Sequence, residues 1–251
     1  MGKLTGKTAV VTGGNSGIGY ATAQAFKREG ATVIITGRNK DALAKAAKEL
    51  GVIGMVADQG DLAAIDGLVA KVKADHQALD TLFINAGVVS FAPLNEVTEA
   101  DFDVTMAINF KGALFTLQKF LPILKDGASV INLSSINAYT GMPNTVVYAA
   151  SKAALNSLTR TASTELAPRK IRVNSVNPGP VSTPIFGKLG LPAEAMTEFG
   201  TAMQNRIPLK RFGNPEEIAN LVTFLASDDA GFITGAEYNI DGGSIVNPLL
   251  S

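Results

Sequence analysis

The sequence predicts an α/β protein: a doubly wound parallel sheet of about seven strands with helices on both faces. Three observations carry that expectation. Short apolar runs alternate along the chain with stretches whose apolar residues recur at helical spacing. A glycine-rich turn joins the first apolar run to the first helical stretch. No domain-sized linker, repeat or low-complexity tract interrupts the alternation, so residues 1–251 read as a single domain.

Taken in order, strands are expected at Ala9–Thr12, Thr32–Thr36, Ile53–Val56 and Thr81–Ile84. Between them, Leu43, Ala46, Ala47 and Leu50 follow the i, i+3, i+4, i+7 rule, and Leu62, Ile65, Val69 and Val72 mark another helix. Phe110, Leu114, Leu117, Leu121 and Leu124 form a further helical stripe, followed by a strand at Ser129–Leu133. A long helix over Val147–Leu166 carries Leu155, Leu158, Ala162 and Leu166. Strands at Ile171–Val176 and Ala236–Ile240 flank a last helical stripe of Ile218, Leu221, Val222 and Leu225.

One connection is unusually long. Between Gly179 and Pro215 it carries Pro180, Pro184, Pro192 and Pro208, and also the apolar Ile185, Phe186, Leu189, Met196 and Phe199. So apolar a segment is driven to bury itself. A lid over a substrate pocket, at about residues 180–214, is the expectation, with a packed helical excursion as the alternative.

Composition narrows the function. At 46% hydrophobic and 18% charged, the chain is an ordinary globular one. Basic and acidic residues number 22 each, so no net field favours nucleic acid or a membrane surface. Cysteine is absent, which excludes thiolate chemistry and suits a reducing compartment. The single histidine, His76, is expected at the surface, and no metal site is expected. The N-terminal segment has no apolar signal core, position 6 is Gly where a myristoylation signal needs Ser or Thr, and no stretch reaches spanning length. A soluble cytoplasmic protein is the expectation. Gly6-Lys7-Thr8 ends like a phosphate loop, but Met1 stands where the first glycine is required. No Gly-x-Ser-x-Gly elbow occurs.

The glycine turn is Thr12-Gly13-Gly14-Asn15-Ser16-Gly17-Ile18-Gly19. Gly13, Gly17 and Gly19 permit a tight turn, close approach of backbone to a pyrophosphate, and tight packing of helix on strand. The helix that follows offers its free N–H groups and dipole to the anion, as in Rossmann-type folds. The second strand ends Thr36-Gly37-Arg38-Asn39, without the carboxylate that binds the ribose hydroxyl of NAD. Arg38 suits a 2′-phosphate, so NADP(H) is expected, although a surface arginine or one stacked on adenine also fits that position.

Tyr148 and Lys152 stand four apart, one turn of helix, on the same face. An ammonium near a phenol favours the phenolate and lowers the tyrosine pKa, which suits proton transfer. By spacing alone, a packed ring beside a solvated amine is the commoner case.

Together these stretches resemble the short-chain dehydrogenases/reductases, in the branch with single-domain chains of this size. Thr12-Gly13-x-x-x-Gly17-Ile18-Gly19 matches that family's cofactor turn, and Asp58 its adenine-binding acid. Asn85-Ala86-Gly87 matches most of a four-residue Asn-Asn-Ala-Gly motif, with Ile84 in place of the first Asn. Asn109, Ser135, Tyr148 and Lys152 match the active-site set, and Asn177-Pro178-Gly179 with Thr183 the segment along the nicotinamide.

The resemblance implies central strand order 3-2-1-4-5-6-7 and a carbonyl/alcohol oxidoreductase similar to bacterial NADPH-dependent secondary-alcohol dehydrogenases. Tyr148 would be the proton donor, Lys152 its tuner and ribose anchor, Ser135 a donor to the substrate oxygen, and Asn109 the holder of a relay water. Asn15, Ser16, Ile18, Asn39, Gln59 and Val181 join the cofactor contacts. Asn137 and Phe186 join Ser135 and Tyr148 around the substrate. Ser134 competes with Ser135, and Tyr139 lines the pocket or packs in the core. Thr183 holds the carboxamide or is a turn hydroxyl. The resemblance further implies homotetramers or dimers built through the helices near Asn109–Leu124 and Val147–Leu166 and the C-terminal strand. Two alternatives stand beside the ketone reductase. One is a 3-oxoacyl-thioester reductase, for which Arg169-Lys170-x-Arg172 is a short basic cluster; the other is a non-catalytic NADP(H)-binding regulator.

Overall fold

The structure, a computed structural model, describes residues 2–183 and 193–246. Its first half runs β1 (Thr8–Val11), α1 (Gly17–Arg28), β2 (Thr32–Gly37), α2 (Lys40–Leu50), β3 (Ile53–Val56), α3 (Leu62–His76) and β4 (Leu79–Ile84). The second half runs α4 (Glu99–Met106), a π-helical turn (Ala107–Gly112), α5 (Ala113–Phe120), β5 (Leu124–Leu133), α6 (Val146–Leu166), β6 (Arg172–Pro178), α7 (Ala193–Arg206), α8 (Pro215–Ala226) and β7 (Glu237–Ile240). The strands form one parallel seven-stranded sheet in the order β3-β2-β1-β4-β5-β6-β7. This is the expected Rossmann-type topology.

Strand alternation divides the core into two layers. Val11, Val33, Ile35, Phe83, Ile131 and Val176 face α1 and α8, where Phe26, Ile218, Val222 and Leu225 cover them. Val10, Ile34, Leu82, Ile84, Val130 and Val173 point the other way, against Leu68, Val72, Leu117, Phe120 and Leu155. Fully burying one such side chain contributes about 1.5–3 kcal/mol. Strands buried on both faces read as continuous apolar runs, and that is the signal they gave. Ala21 and Ala25 of α1 meet Ala219 of α8, and side chains this small let the two helices approach closely.

Two details depart from the sequence reading. Leu124 is not the end of a helical stripe; it opens β5 and pairs with Leu79. Pro122 ends the helix, because it lacks an N–H for the ladder. The β5 pairing then shifts register before Ser129, where Gly127 takes a φ of 84°. The second departure is the π-helical turn within the expected stripe, which places Asn109 and Gly112 inward.

The long connection after β6 contains α7, and its two stems are tied together. Val181 bridges Gly213 in parallel, Ser182 N–H donates to the Gly213 carbonyl at 2.9 Å, and Gly213 N–H donates to the Pro180 carbonyl at 3.0 Å. Phe186 and its neighbours in the expected lid lie outside the described residues. His76 closes α3, partly exposed as expected. Among the described residues, no helix is long and apolar enough to cross a membrane.

Candidate active site

The sheet order reverses beside β1, between β2 and β4, and in open α/β sheets ligand clefts form outside the strand ends at such a point. The glycine turn is built there. Gly13 has a φ of 66°, and a Cβ on Gly19 would lie 2.3 Å from the Gly13 carbonyl oxygen, so no other residue fits either position. Asn85 locks the turn from the end of β4, its side-chain amide donating to the carbonyls of Thr12 at 2.8 Å and Gly13 at 3.1 Å. The Thr12 hydroxyl in turn accepts the N–H groups of Asn85 and Ala86, both at 3.0 Å. Asn85 thus shapes the turn, and Thr12 is a structural partner that its place at the head of the motif could have signalled.

The N-terminus of α1 is available to an anion. Ser16 stands at the N-cap, exposed, with no capping bond from its side chain, and the first turn has no acidic residue. Ile18 is partly buried and packs against the core. Arg38 is exposed just beyond β2 and makes no ion pair among the described residues. Asn15 reaches the same strand tip, its Oδ1 standing 2.8 Å from where a Cβ on Gly37 would be.

Several expected cofactor contacts have their side chains engaged elsewhere. Asn39 caps α2, accepting from Ala42 N–H at 2.9 Å. Gln59 is buried, its amide donating to the Thr116 hydroxyl on α5 at 3.1 Å. Val181 is buried in the core layer beneath α8. Asp58 is partly exposed and accepts Gly60 N–H at 2.9 Å. Pro178 ends β6, and the Gly179 N–H that follows donates to Ile240 at 3.1 Å, which fixes the chain toward Thr183.

Across the cleft, Tyr148 and Lys152 come from α6 and Ser135 from the loop after β5. The Ser135 hydroxyl accepts Asn137 N–H at 3.2 Å and bonds to Tyr148. The rival Ser134 is turned away, its hydroxyl donating to the Lys152 carbonyl at 3.0 Å. Asn137 directs its amide to Met142 Sδ at 3.6 Å. Tyr139 does not pack in the core. Its ring is half-exposed, and its hydroxyl is taken up by Asn156, Asn177 and Glu237.

Lys152 is 4% exposed, donates to the Leu133 carbonyl at 2.7 Å, and lies 5.7 Å from the centre of the Tyr148 ring. The expected lowering of the tyrosine pKa by this lysine is not what the structure shows. Burial raises the Tyr148 pKa, and only the Ser135 hydrogen bond opposes it. Burial also lowers the Lys152 pKa, from 10.5 to about 8. The ammonium lies over the ring and points to a carbonyl, and its charge does not offset the burial of the phenol.

Asn109 is buried and fully engaged as a donor. Its amide donates to the Val88 carbonyl at 2.8 Å and to the Ser151 hydroxyl at 3.1 Å, while its Oδ1 accepts Val88 N–H at 2.8 Å. It fixes the segment following Asn85-Ala86-Gly87 to α6. A Cβ on Gly87 would stand 3.3 Å from Asn109 Oδ1 and 3.5 Å from Lys152 Nζ, so glycine there leaves room for both.

Known proteins resemble this chain over nearly its whole length. The sequence model described as "Enoyl-(Acyl carrier protein) reductase" matches residues 13–244. The chain is 41% identical over 251 residues to a 3-oxoacyl-[acyl-carrier-protein] reductase of Thermotoga maritima, covering 97% of this chain and 100% of that one. It is 36% identical over 250 residues to an NADP-dependent (R)-specific alcohol dehydrogenase of Lentilactobacillus kefiri, covering 96% and 97%. A short-chain dehydrogenase/reductase from Serratia marcescens superimposes with a TM-score of 0.89 at 35% identity, covering 96% of this chain and 99% of that one. The glycine turn at the sheet's switch point, the serine–tyrosine pair with its buried lysine, and this breadth of likeness make the chain a member of the short-chain dehydrogenase/reductase family of oxidoreductases.

Proposed function

We propose that this enzyme interconverts a ketone or other carbonyl and a secondary alcohol, with NADP(H) as its cofactor. The observation that carries the reading is the joined Ser135 and Tyr148 hydroxyls with Lys152 buried behind them. The residues of the cleft fit the dinucleotide: the Gly19 cradle admits no Cβ, Ser16 leaves its capping position unspent, and Arg38 is a free cation where a 2′-phosphate would lie. When bound, the cofactor would supply or accept the hydride.

Tyr148 gives its proton to the substrate oxygen in reduction and takes it back in oxidation. Its raised pKa keeps the phenol protonated at neutral pH, the form that reduction needs. Ser135 accepts from Asn137, and the hydroxyl proton it turns to Tyr148 is redirected to the charge developing on the carbonyl oxygen when substrate is bound. Lys152 holds positive charge beneath the site, and Asn109, with one acceptor lone pair of its Oδ1 unspent, is placed to hold a relay water beside it.

A second reading, reduction of 3-oxoacyl thioesters, is favoured by the likeness to the Thermotoga maritima enzyme. Against it, the Arg169-Lys170-x-Arg172 cluster is no open docking surface for an acidic carrier. Arg172 is buried and donates to the Leu225 and Ser227 carbonyls, and Arg169 is held by Asp126, Leu121 and Leu124. The test is loss of reduced-nicotinamide absorbance in the purified chain, given ketones, keto esters and a 3-oxoacyl thioester with NADPH and then NADH. Turnover of ketones with NADPH preferred, lost by at least about a hundredfold in Tyr148→Phe, is expected. Turnover of the thioester alone selects the second reading. Cofactor binding without any turnover leaves a regulator.

A further inference from the structure

We propose that Tyr139 is a positioning residue for the reaction, acting through Ser135; the inference rests on the carbonyl-reductase reading above. The segment from Ser135 to Tyr139 is one rigid unit. Ser135 caps a short 3₁₀ turn at Ile136–Ala138, Ala138 N–H returns to the Ser135 carbonyl at 3.1 Å, and Tyr139 N–H returns to Ile136 at 2.9 Å. Beyond Tyr139 the chain passes through a largely exposed loop, in which Asn144 has a φ of 64°, before α6 begins. Tyr139 is therefore the far anchor of the unit that carries the Ser135 hydroxyl.

Its own anchorage is long-range and polar. The Tyr139 hydroxyl accepts the side-chain amides of Asn156 at 2.9 Å and Asn177 at 3.3 Å, and donates to the Glu237 carboxylate, which also pairs with Arg160. Asn156 is one helical turn beyond Lys152 on the same face of α6. Asn177 precedes Pro178-Gly179 in β6 and also donates to Asn239 Oδ1 of β7 at 3.1 Å. One phenolic oxygen thus gathers the serine loop, the tyrosine–lysine helix and the end of β6.

Both asparagines are at most 2% exposed, and the Oδ1 of each has no partner among the described residues. Among the described residues, the Tyr139 oxygen is the sole side-chain acceptor for the Asn156 amide. Removing it leaves buried donors unpaired, and a shift of the turn that restores them would carry Ser135 away from Tyr148.

The test is a double-mutant cycle with the full chain, measuring kcat and KM for ketone and NADPH, and thermal stability, in wild type, Tyr139→Phe, Ser135→Ala and the double variant. Tyr139→Phe is expected to lower kcat about tenfold with KM for NADPH within about twofold, and to cost little more in the Ser135→Ala background. A folded Tyr139→Phe with unchanged kcat overturns the inference, as does full multiplicativity with Ser135→Ala. If Tyr139→Phe does not fold, Glu237→Gln takes its place in the cycle. It is expected to lower kcat without adding to Ser135→Ala, and either an unchanged kcat or full multiplicativity overturns the inference. Wild type inactive on every carbonyl instead sinks the reading on which it rests.

Discussion

Burial acts in opposite senses on Tyr148 and Lys152. It penalises the phenolate and so raises one pKa; it penalises the ammonium and so lowers the other to about 8. Lys152 therefore changes charge in an accessible range, and two pH effects follow. Carbonyl reduction is expected to be flat near neutrality and to fall as pH rises through about 8, because a neutral lysine no longer favours the phenolate that proton donation leaves. A pH profile of kcat/KM for the ketone checks this, and a plateau reaching well above that value would refute it. Stability has the other slope. From about 8 to the ordinary 10.5, the unfolded chain keeps a proton on this lysine that the folded chain has released. More protons bound to the unfolded state means that stability rises with pH across that window. Urea melts of wild type against Lys152→Met should show this rise in wild type alone. The spacing of Tyr148 and Lys152 was legible in the sequence; the direction of the tyrosine shift was not, because it depends on where Nζ points and how deeply the phenol lies.

The elements were legible wherever a period was sustained. The parallel strands read as apolar runs because both faces are buried, and α6 was read to within one residue of its observed start. What escaped were local changes of phase. A π-helical turn inserts a residue without altering composition, and Pro122 divides an apolar run whose second part becomes β5. The turn has a purpose in the site: it swings Asn109 inward to hold both polar groups of Val88, and it brings Gly112 so near Gln59 that a Cβ there would lie 2.0 Å from the Gln59 carbonyl oxygen. Asn109→Ala leaves the Val88 N–H and carbonyl and the Ser151 hydroxyl without this partner, at a cost of roughly 2–4 kcal/mol. Denaturant unfolding should show a lower midpoint at an unchanged m-value, together with loss of turnover. Retention of wild-type stability would mean that Asn109 does not hold the Val88 segment in place.

At the scale of the whole molecule, the expected strand order is the observed one, because right-handed crossovers leave few ways to wind alternating strands and helices. The long-range polar contacts were not legible, since nothing local in sequence joins Tyr139 to Glu237 or Thr12 to Asn85. The surface poses the remaining question. Phe102 and Val104 of α4 are 50% and 56% exposed, and Val146 at the start of α6 is 45% exposed, on two helices that pack together. Large apolar side chains left exposed on adjoining helices suit a covered face. The family resemblance places subunit contacts on α6 and on the helix that follows α4, so a homotetramer is expected. Sedimentation should give four times the 26.1 kDa chain. Phe102→Glu with Val104→Glu places charges where desolvation is required, and should shift the population to smaller species at micromolar concentration. A wild-type monomer would rule the assembly out, and a tetramer indifferent to both glutamates would move the contact to another face.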